Sequence, residues 1–204
     1  MKESFEKFQS TEETELLNRI NNFFPEGKTT EININDLPVD VLNFFEGYSK
    51  RFILPEEYVP GNFKKLFLAD HENGDKTYIA NQTKIYTEGD DGGGGEDLSY
   101  LVDYRANEII GHSELRFKGS SGNKYYQDKP FIGFTDTEEK HRKSGLGKRR
   151  LYLMNALAKS FYGHSVYSDT LVSEEARLLW EKLVLENKAQ KIKEGDKDRY
   201  RLVD

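Results

Sequence analysis

Apolar residues recur at helical spacing near the start of the chain. Leu16, Leu17, Ile20, Phe23 and Phe24 share one face across residues 3–24, and Pro25 with Gly27 ends the run. A helix of that kind predicts docking on a larger body, with a dimer contact as the alternative. Residues 29–34 alternate as a short strand. Asp36 then stands as the N-cap of a second helix, whose apolar set is Val39, Val41, Leu42, Phe44 and Phe45. Pro55 and Pro60-Gly61 break the chain again. Residues 66–69 and 77–80 read as strands joined by Asn73-Gly74, a strong hairpin signal. The acidic spacing over 70–75 is not that of a calcium loop, so the segment reads as a turn. Residues 88–97, with Gly92 to Gly95 among Asp and Glu, read as a mobile acidic loop. It reads as an inert surface loop, with a cover for a substrate entrance or an attractor of a basic substrate as the alternatives.

The second half alternates more regularly. Residues 98–104 and 108–117 form a strand pair, and 119–128 are a polar connection. Residues 131–137 are apolar and β-branched, hence a strand. Residues 138–147 are polar and end in Ser-Gly-Leu-Gly, hence a loop. From Lys148 onward Leu153, Leu157 and Phe161 recur at i, i+4 and i+8 beside Met154 and Ala158, which predicts a helix. Residues 164–169 read as a further strand. Ser173 caps a helix with Glu174 and Glu175 at the positive end of its dipole and Ala176, Leu179, Trp180 and Leu183 on its apolar face. Residues 189–193 and 199–203 read as a closing hairpin, and no internal repeat is evident.

Composition narrows the class. The 204 residues fit one domain, or one domain with an appendage; in the second case the appendage is the helical stretch 1–27 and the main domain 28–204. Thirteen Phe, 12 Tyr and one Trp supply a core. The absence of cysteine removes disulfides, thiolate metal sites and cysteine nucleophiles, and suits a cytoplasmic protein. The four histidines show no metal-ligand spacing, so no metal is expected. No apolar run is long enough to span a bilayer, and the first residues carry no secretory h-region. The net charge of −6 argues against general nucleic-acid binding, although one basic patch leaves a nucleic-acid partner open.

That patch is Lys140, Arg142, Lys143, Lys148, Arg149 and Arg150, and it flanks Gly145 and Gly147. Strand, glycine loop and helix start together present backbone N–H groups and a positive dipole end to an anion. The alternative is a tight turn with a solvated basic helix face. The dinucleotide fingerprint fails because Arg150 stands where its third glycine belongs. The phosphate loop fails because Arg149 follows Lys148. The pattern that fits is Arg142-x-x-Gly145-x-Gly147. With this strand–loop–helix context, the Ile109-Ile110-Gly111-His112 run and the terminal helix plus hairpin, the sequence resembles the GNAT superfamily of N-acetyltransferases. The resemblance covers residues 98–204 well and 29–97 loosely.

The resemblance implies an α/β (α+β) fold: a mixed, mostly antiparallel sheet flanked by helices, with the N-terminal helix as an extension. The strand at 131–137 and the one after it would splay apart to admit acetyl-coenzyme A. By the same resemblance, Thr135, Asp136 and Thr137 would meet the pantetheine arm and thioester. Arg142, Lys143, Ser144, Gly145, Leu146, Gly147 and Lys148 would hold the pyrophosphate. Ser173 stands where many members carry a cofactor-touching asparagine. The implied reaction is direct attack by an amine on the thioester, which needs proximity, oxyanion stabilisation and proton movement. Trp180 replaces the tyrosine that many members use as acid, and Tyr167 is a substitute. Glu114 and Asp136 are candidate bases, with solvated strand carboxylates as the plain alternative. His112 and His141 are further, weaker options. Two functions stay open: an acetyl-coenzyme A-dependent N-acetyltransferase for an amine of a small molecule or protein, or a non-catalytic module that binds coenzyme A or a partner protein. The acceptor is not readable, and the protein is expected as a monomer or homodimer without a membrane partner.

Overall fold

The computed structural model describes residues 14–24, 26–49, 63–85, 95–118 and 129–203. Residues 14–23 form helix α1. Strand β1 (Gly27–Glu31) and a 3-10 turn (Ile34–Asp36) lead to helix α2 (Val39–Ser49). Four further strands follow: β2 (Lys65–His71), β3 (Lys76–Ile85), β4 (Gly95–Arg105) and β5 (Glu108–Lys118). Strand β6 (Phe131–Thr137) precedes helix α3 (Leu146–Tyr162) and helix α4 (Glu174–Leu185). Strands β7 (Ala189–Glu194) and β8 (Lys197–Leu202) close the chain as a hairpin.

Strands β1 to β6 form one antiparallel sheet in sequence order, each strand pairing with the next; helix α2 lies in the connection from β1 to β2. The fold is therefore α/β with an antiparallel sheet flanked by helices. Alternation sends side chains to opposite faces. Phe67, Ala69, Ile79, Leu101 and Leu115 meet α1, α3 and α4 in one core. Leu66, Tyr78, Ala80, Leu98, Tyr100 and Val102 meet Val41 and Phe45 of α2 in the other. Leu16, Ile20 and Phe24 of α1 lie in the same core as α3. The β2–β3 hairpin turns at Gly74 (φ 82), and the β4–β5 hairpin turns at Ala106 and Asn107 (φ 50 and 65).

Several expectations shift. Asp36 does not cap α2. Its carboxylate accepts from the Asn33 N–H at 2.9 Å and closes the 3-10 turn. Pro38 holds Leu37 extended (φ −78, ψ 136) and so separates Asp36 from the helix. The strand expected at 164–169 shrinks to one bridging residue, Tyr167, parallel to Phe131 and antiparallel to Arg201. Val166 and Ser168 bond the β8 backbone, but toward β6 only Tyr167 does, through Pro130 O and Ile132 N at 2.8 and 3.0 Å. The segment thus leaves β6 after a single contact. Gly95 to Asp97 belong to β4, and the mobility expected for the rest of the acidic loop lies outside the described residues. The connection at 119–128 and the breaks at Pro55 and Pro60-Gly61 lie outside them as well.

Trp180 is 3% exposed and its ring stacks on Tyr200 of β8, centroids 5.8 Å apart. It is a packing residue between α4 and the hairpin. Trp180→Ala is expected to cost about 3–5 kcal/mol of stability. Urea unfolding measures this, and an unchanged midpoint would show that the ring carries no packing.

Candidate active site

Strand β6 is the last strand of the six-stranded sheet. Its inner side pairs with β5 from Phe131 to Thr137, with an irregularity where Gly133 is inserted between Ile132 and Phe134. Its outer side bridges to Tyr167 at Phe131. Among the described residues, the outer edge from Gly133 to Thr137 pairs with no other strand. A long ligand could lie along that edge and take backbone hydrogen bonds from it.

The edge runs into the start of α3. The loop makes one 3-10 turn (Glu139–His141), and Ser144 Oγ donates to the His141 carbonyl. Lys143 and Gly145 follow with φ 63 and 88. The left-handed turn at Gly145 is one that a residue with a Cβ adopts at a cost, so glycine suits it. The helix begins at Leu146, so Gly147 lies inside its first turn rather than in the loop. The first intrahelical bond is Arg149 N–H to Gly145 O at 3.0 Å. The amides of Leu146, Gly147 and Lys148 therefore have no carbonyl partner in the helix, and no side chain caps them. These donors, with the helix dipole behind them, suit an anion such as a diphosphate.

The basic cluster is smaller than the sequence implies. Arg150 is 1% exposed and turns inward, where Nη1 donates to Asp103 Oδ2 at 2.8 Å. Its Nη2 donates to the Asp136 carbonyl at 2.7 Å and to Thr137 Oγ1. The guanidinium passes over Gly111, where a Cβ would collide with it. That is a packing reason for glycine in the Ile109-Ile110-Gly111-His112 run. Arg149 also turns inward, to Asp75 at 2.9 Å. Lys140 is held by Glu108 at 2.6 Å and Glu138 at 3.4 Å. Arg142, Lys143 and Lys148 remain at the loop. Arg142 Nε donates to the Thr137 carbonyl at 3.2 Å, and Lys148 lies 3.5 Å from Glu186. Sequence position alone groups both arginines with the cations of the loop. They face inward because helical phase carries positions 149 and 150 round to the sheet.

This inward network sets the position of the site. Asp103 on β4 accepts from Arg150 and from Thr77 Oγ1 at 2.6 Å, and Thr77 Oγ1 lies 2.7 Å from His71 Nε2. Arg105 grips Asp75 with two bonds at 2.6 and 2.7 Å. Arg150 thus ties the C-terminal end of β6 to the first turn of α3 and to the sheet interior. Burial, and then the charge of Arg149, pushes the His71 imidazole below its ordinary pKa. The Arg105 bonds hold the Asp75 carboxyl well below the usual carboxylate range. Burial opposes this, and Arg149 adds to it. A depressed carboxyl pKa contributes stability above the unfolded-state value of about 4 and loses it as pH falls from there. Stability is therefore expected to drop below about pH 4, and Asp75→Asn is expected to flatten that part of the profile. Equal acid sensitivity in the two proteins, measured by thermal melting, would refute the assignment.

Other predicted residues fall in different places. Thr135 and Thr137 face α3; Thr135 Oγ1 meets Ser113 Oγ at 2.7 Å. Asp136 faces the opposite side, with Arg142 Nη2 3.9 Å from its carboxylate. Glu114 is 2% exposed and its carboxylate accepts from Arg116 Nε. Tyr167 is not brought to the loop: it sits at the Phe131 end of β6, about 20 Å of strand from Thr137, with Arg199 5.1 Å from its ring centroid. Ser173 Oγ accepts the Ala176 N–H at 3.3 Å as a helix cap. It opens α4 at the end far from Glu186, about 18–20 Å of helix away, and Glu186 is what meets Lys148. Trp180 faces Tyr200 rather than the loop.

A cluster of aromatic and titratable side chains lies on the α2 side of β5 and β6. His112 pairs in register with Asp136 and stacks on Phe134, centroids 5.1 Å apart. Phe44 and Tyr48 of α2 approach the imidazole at 4.9 and 5.8 Å. The available signal was strand alternation, which puts His112, Glu114, Phe134 and Asp136 on one face. Elsewhere, Glu108, Glu138 and His141 offer ligand atoms within 4.8 Å of one another, but the Lys140 ammonium already bonds both carboxylates. A cleft of about 670 Å³ lined by Arg19, Lys64, Asn81, Ser160 and Tyr162 lies at the far end of α3, about 20 Å along the helix from Gly147. No helix among the described residues is long and apolar enough to cross a membrane.

No family model matches the sequence, and no curated protein matches it. Among solved structures, the fold is similar to an acetyltransferase of the GNAT family from Staphylococcus aureus, at 14% identity and a TM-score of 0.39 over 52% of this chain and 68% of that one. It is also similar to a provisionally assigned streptothricin acetyltransferase from Bacillus anthracis in complex with acetyl coenzyme A. There the identity is 13% and the TM-score 0.39, over 86% of this chain and 96% of that one. Similarity at this level leaves the chemistry to be read from the chain's own residues.

Proposed function

We propose that this protein binds acetyl-coenzyme A and transfers its acetyl group to a primary amine by direct attack. The observation that carries this reading is the meeting of two features: the outer edge of β6, which no strand covers from Gly133 to Thr137 among the described residues, and the uncapped amides that open α3. In this reading Leu146, Gly147 and Lys148 N–H groups hold the pyrophosphate, with Ser144 and Gly145 shaping the turn. Arg142, Lys143 and Lys148 add charge. The backbone of Thr135, Asp136 and Thr137 orients the pantetheine arm and thioester, and Arg150 fixes that strand end. Bound acetyl-coenzyme A would supply an activated acyl carbon, and the protein would supply proximity and donors for the developing oxyanion.

A second reading is a coenzyme A-binding or protein-interaction module without transfer. It is favoured by the burial of Trp180 against Tyr200, which leaves no acid at that position. Calorimetric titration with acetyl-coenzyme A tests the shared binding step. Thiol release in the presence of amines then separates the two readings. Absence of binding in folded protein overturns both.

A further inference from the structure

We propose that His112 takes the proton from the acceptor amine, within an acceptor pocket formed by Phe44, Tyr48 and Phe134 on the face of the sheet opposite α3. This rests on the transfer reading above and deepens it. His112 lies on β5, one strand or about 4.8 Å in from the open edge of β6. It is half-buried, with Phe134 stacked on it and Phe44 and Tyr48 against it from α2. The Tyr48 hydroxyl is 3.5 Å from Nε2, a polar partner that helps set the ring's orientation. Phe134 is 44% exposed, so this aromatic cluster reaches solvent beside the edge where the thioester would lie.

The chemistry favours His112 over its neighbours. An imidazole titrates near neutrality and can both accept and release a proton there. Glu114, on the same face, is buried and bonded to Arg116. Asp136, the cross-strand neighbour of His112, is suited to stabilise an imidazolium as it forms. The aromatic rings offer faces to an alkylammonium before it loses its proton. The charged and titratable groups around this face are Tyr48 and Asp40 on α2, Tyr100 and Tyr104 on β4, Glu114 and Arg116 on β5, Asp136 on β6 and Arg142 beyond it.

The step balances as follows. The ammonium gives one proton to an imidazole lone pair of His112, directly or through one water. The neutral nitrogen bonds the acetyl carbon and the carbon–sulfur bond breaks. The nitrogen loses a second proton, the sulfur leaves as thiolate and takes one up, and His112 returns its proton to solvent. The net result is an amide, a thiol and one proton released.

The test compares the parent protein with His112→Gln and His112→Ala. The probes are lysine amide, 1,4-diaminobutane and phenethylamine, each with acetyl-coenzyme A. The Gln variant is expected to bind acetyl-coenzyme A like the parent, because His112 does not touch the glycine loop. Its kcat/KM for amine is expected to fall by roughly 10²–10⁴-fold, with loss of the acid limb of the pH–rate profile near neutrality. A His112→Gln protein with the parent's rate and pH profile overturns the proposal. A parent that binds acetyl-coenzyme A but releases no thiol with any probe overturns it too, while leaving the binding reading intact. A parent that binds no acetyl-coenzyme A removes both. If the Ala variant unfolds by circular dichroism, the Gln variant alone decides.

Discussion

Replacing Gly147 by glutamate is expected to abolish acetyl-coenzyme A binding while leaving the protein folded. Gly147 lies in the first turn of α3, its φ is not left-handed, and a Cβ built there meets nothing within 4 Å. The substitution therefore causes no collision. A carboxylate in the first turn also favours the helix dipole, by about 0.3–1 kcal/mol, so the melting temperature should hold or rise. The same carboxylate lies where a pyrophosphate would take the free amides. At about 5 Å and an effective dielectric of about 20, each like-charge pair costs roughly 3 kcal/mol, or about two decades in Kd. Arg142→Ala should weaken binding by less than about tenfold, since Arg142 is exposed and leaves the amides in place. Titration calorimetry alongside thermal melting separates the effects. Folded Gly147→Glu protein with the parent's affinity would remove the glycine loop as the site.

Asp103→Ala is expected to destabilise the protein by about 3–5 kcal/mol, which is much of a typical domain's total stability. Asp103 is 0% exposed and is the carboxylate that Arg150 meets, itself 1% exposed. Burial pushes the Arg150 pKa down and Asp103 pulls it back up, but an arginine stays charged across the accessible range. Removing Asp103 therefore leaves a buried guanidinium without its counter-ion and Thr77 without its acceptor. The double variant Asp103→Leu with Arg150→Met should recover most of that loss, because a buried pair can be replaced by apolar residues near neutrally. It should still bind acetyl-coenzyme A more weakly, since nothing then ties Asp136 O and Thr137 Oγ1 to α3. Urea unfolding of the single and double variants measures the first effect and calorimetry the second. An Asp103→Ala protein as stable as the parent would mean the pair is not buried as described.

The sequence by itself determined the elements whose signal is local. The Asn73-Gly74 turn, the alternation of β4 and β5, the apolar stripe of α3, the Ser173 cap and the closing hairpin all appear where residue spacing places them. Each depends on neighbours a few residues apart, so period and turn chemistry are enough. Tertiary structure alone decided which charges are available. Lys140, Arg149 and Arg150 belong with Arg142, Lys143 and Lys148 in the sequence, but Asp103 and Asp75, 47 and 74 residues away along the chain, draw the two arginines inward. Tertiary structure also reduced residues 164–169 to one bridge. A strand needs a partner along its length, and β6 offers one only at Phe131. The His112 cluster depends on the same kind of information. Alternation puts His112, Phe134 and Asp136 on one face, but only the packing of α2 on that face brings Phe44 and Tyr48 to the imidazole. Burial and pairing between distant segments are set by the whole chain's packing, and no local spacing encodes them.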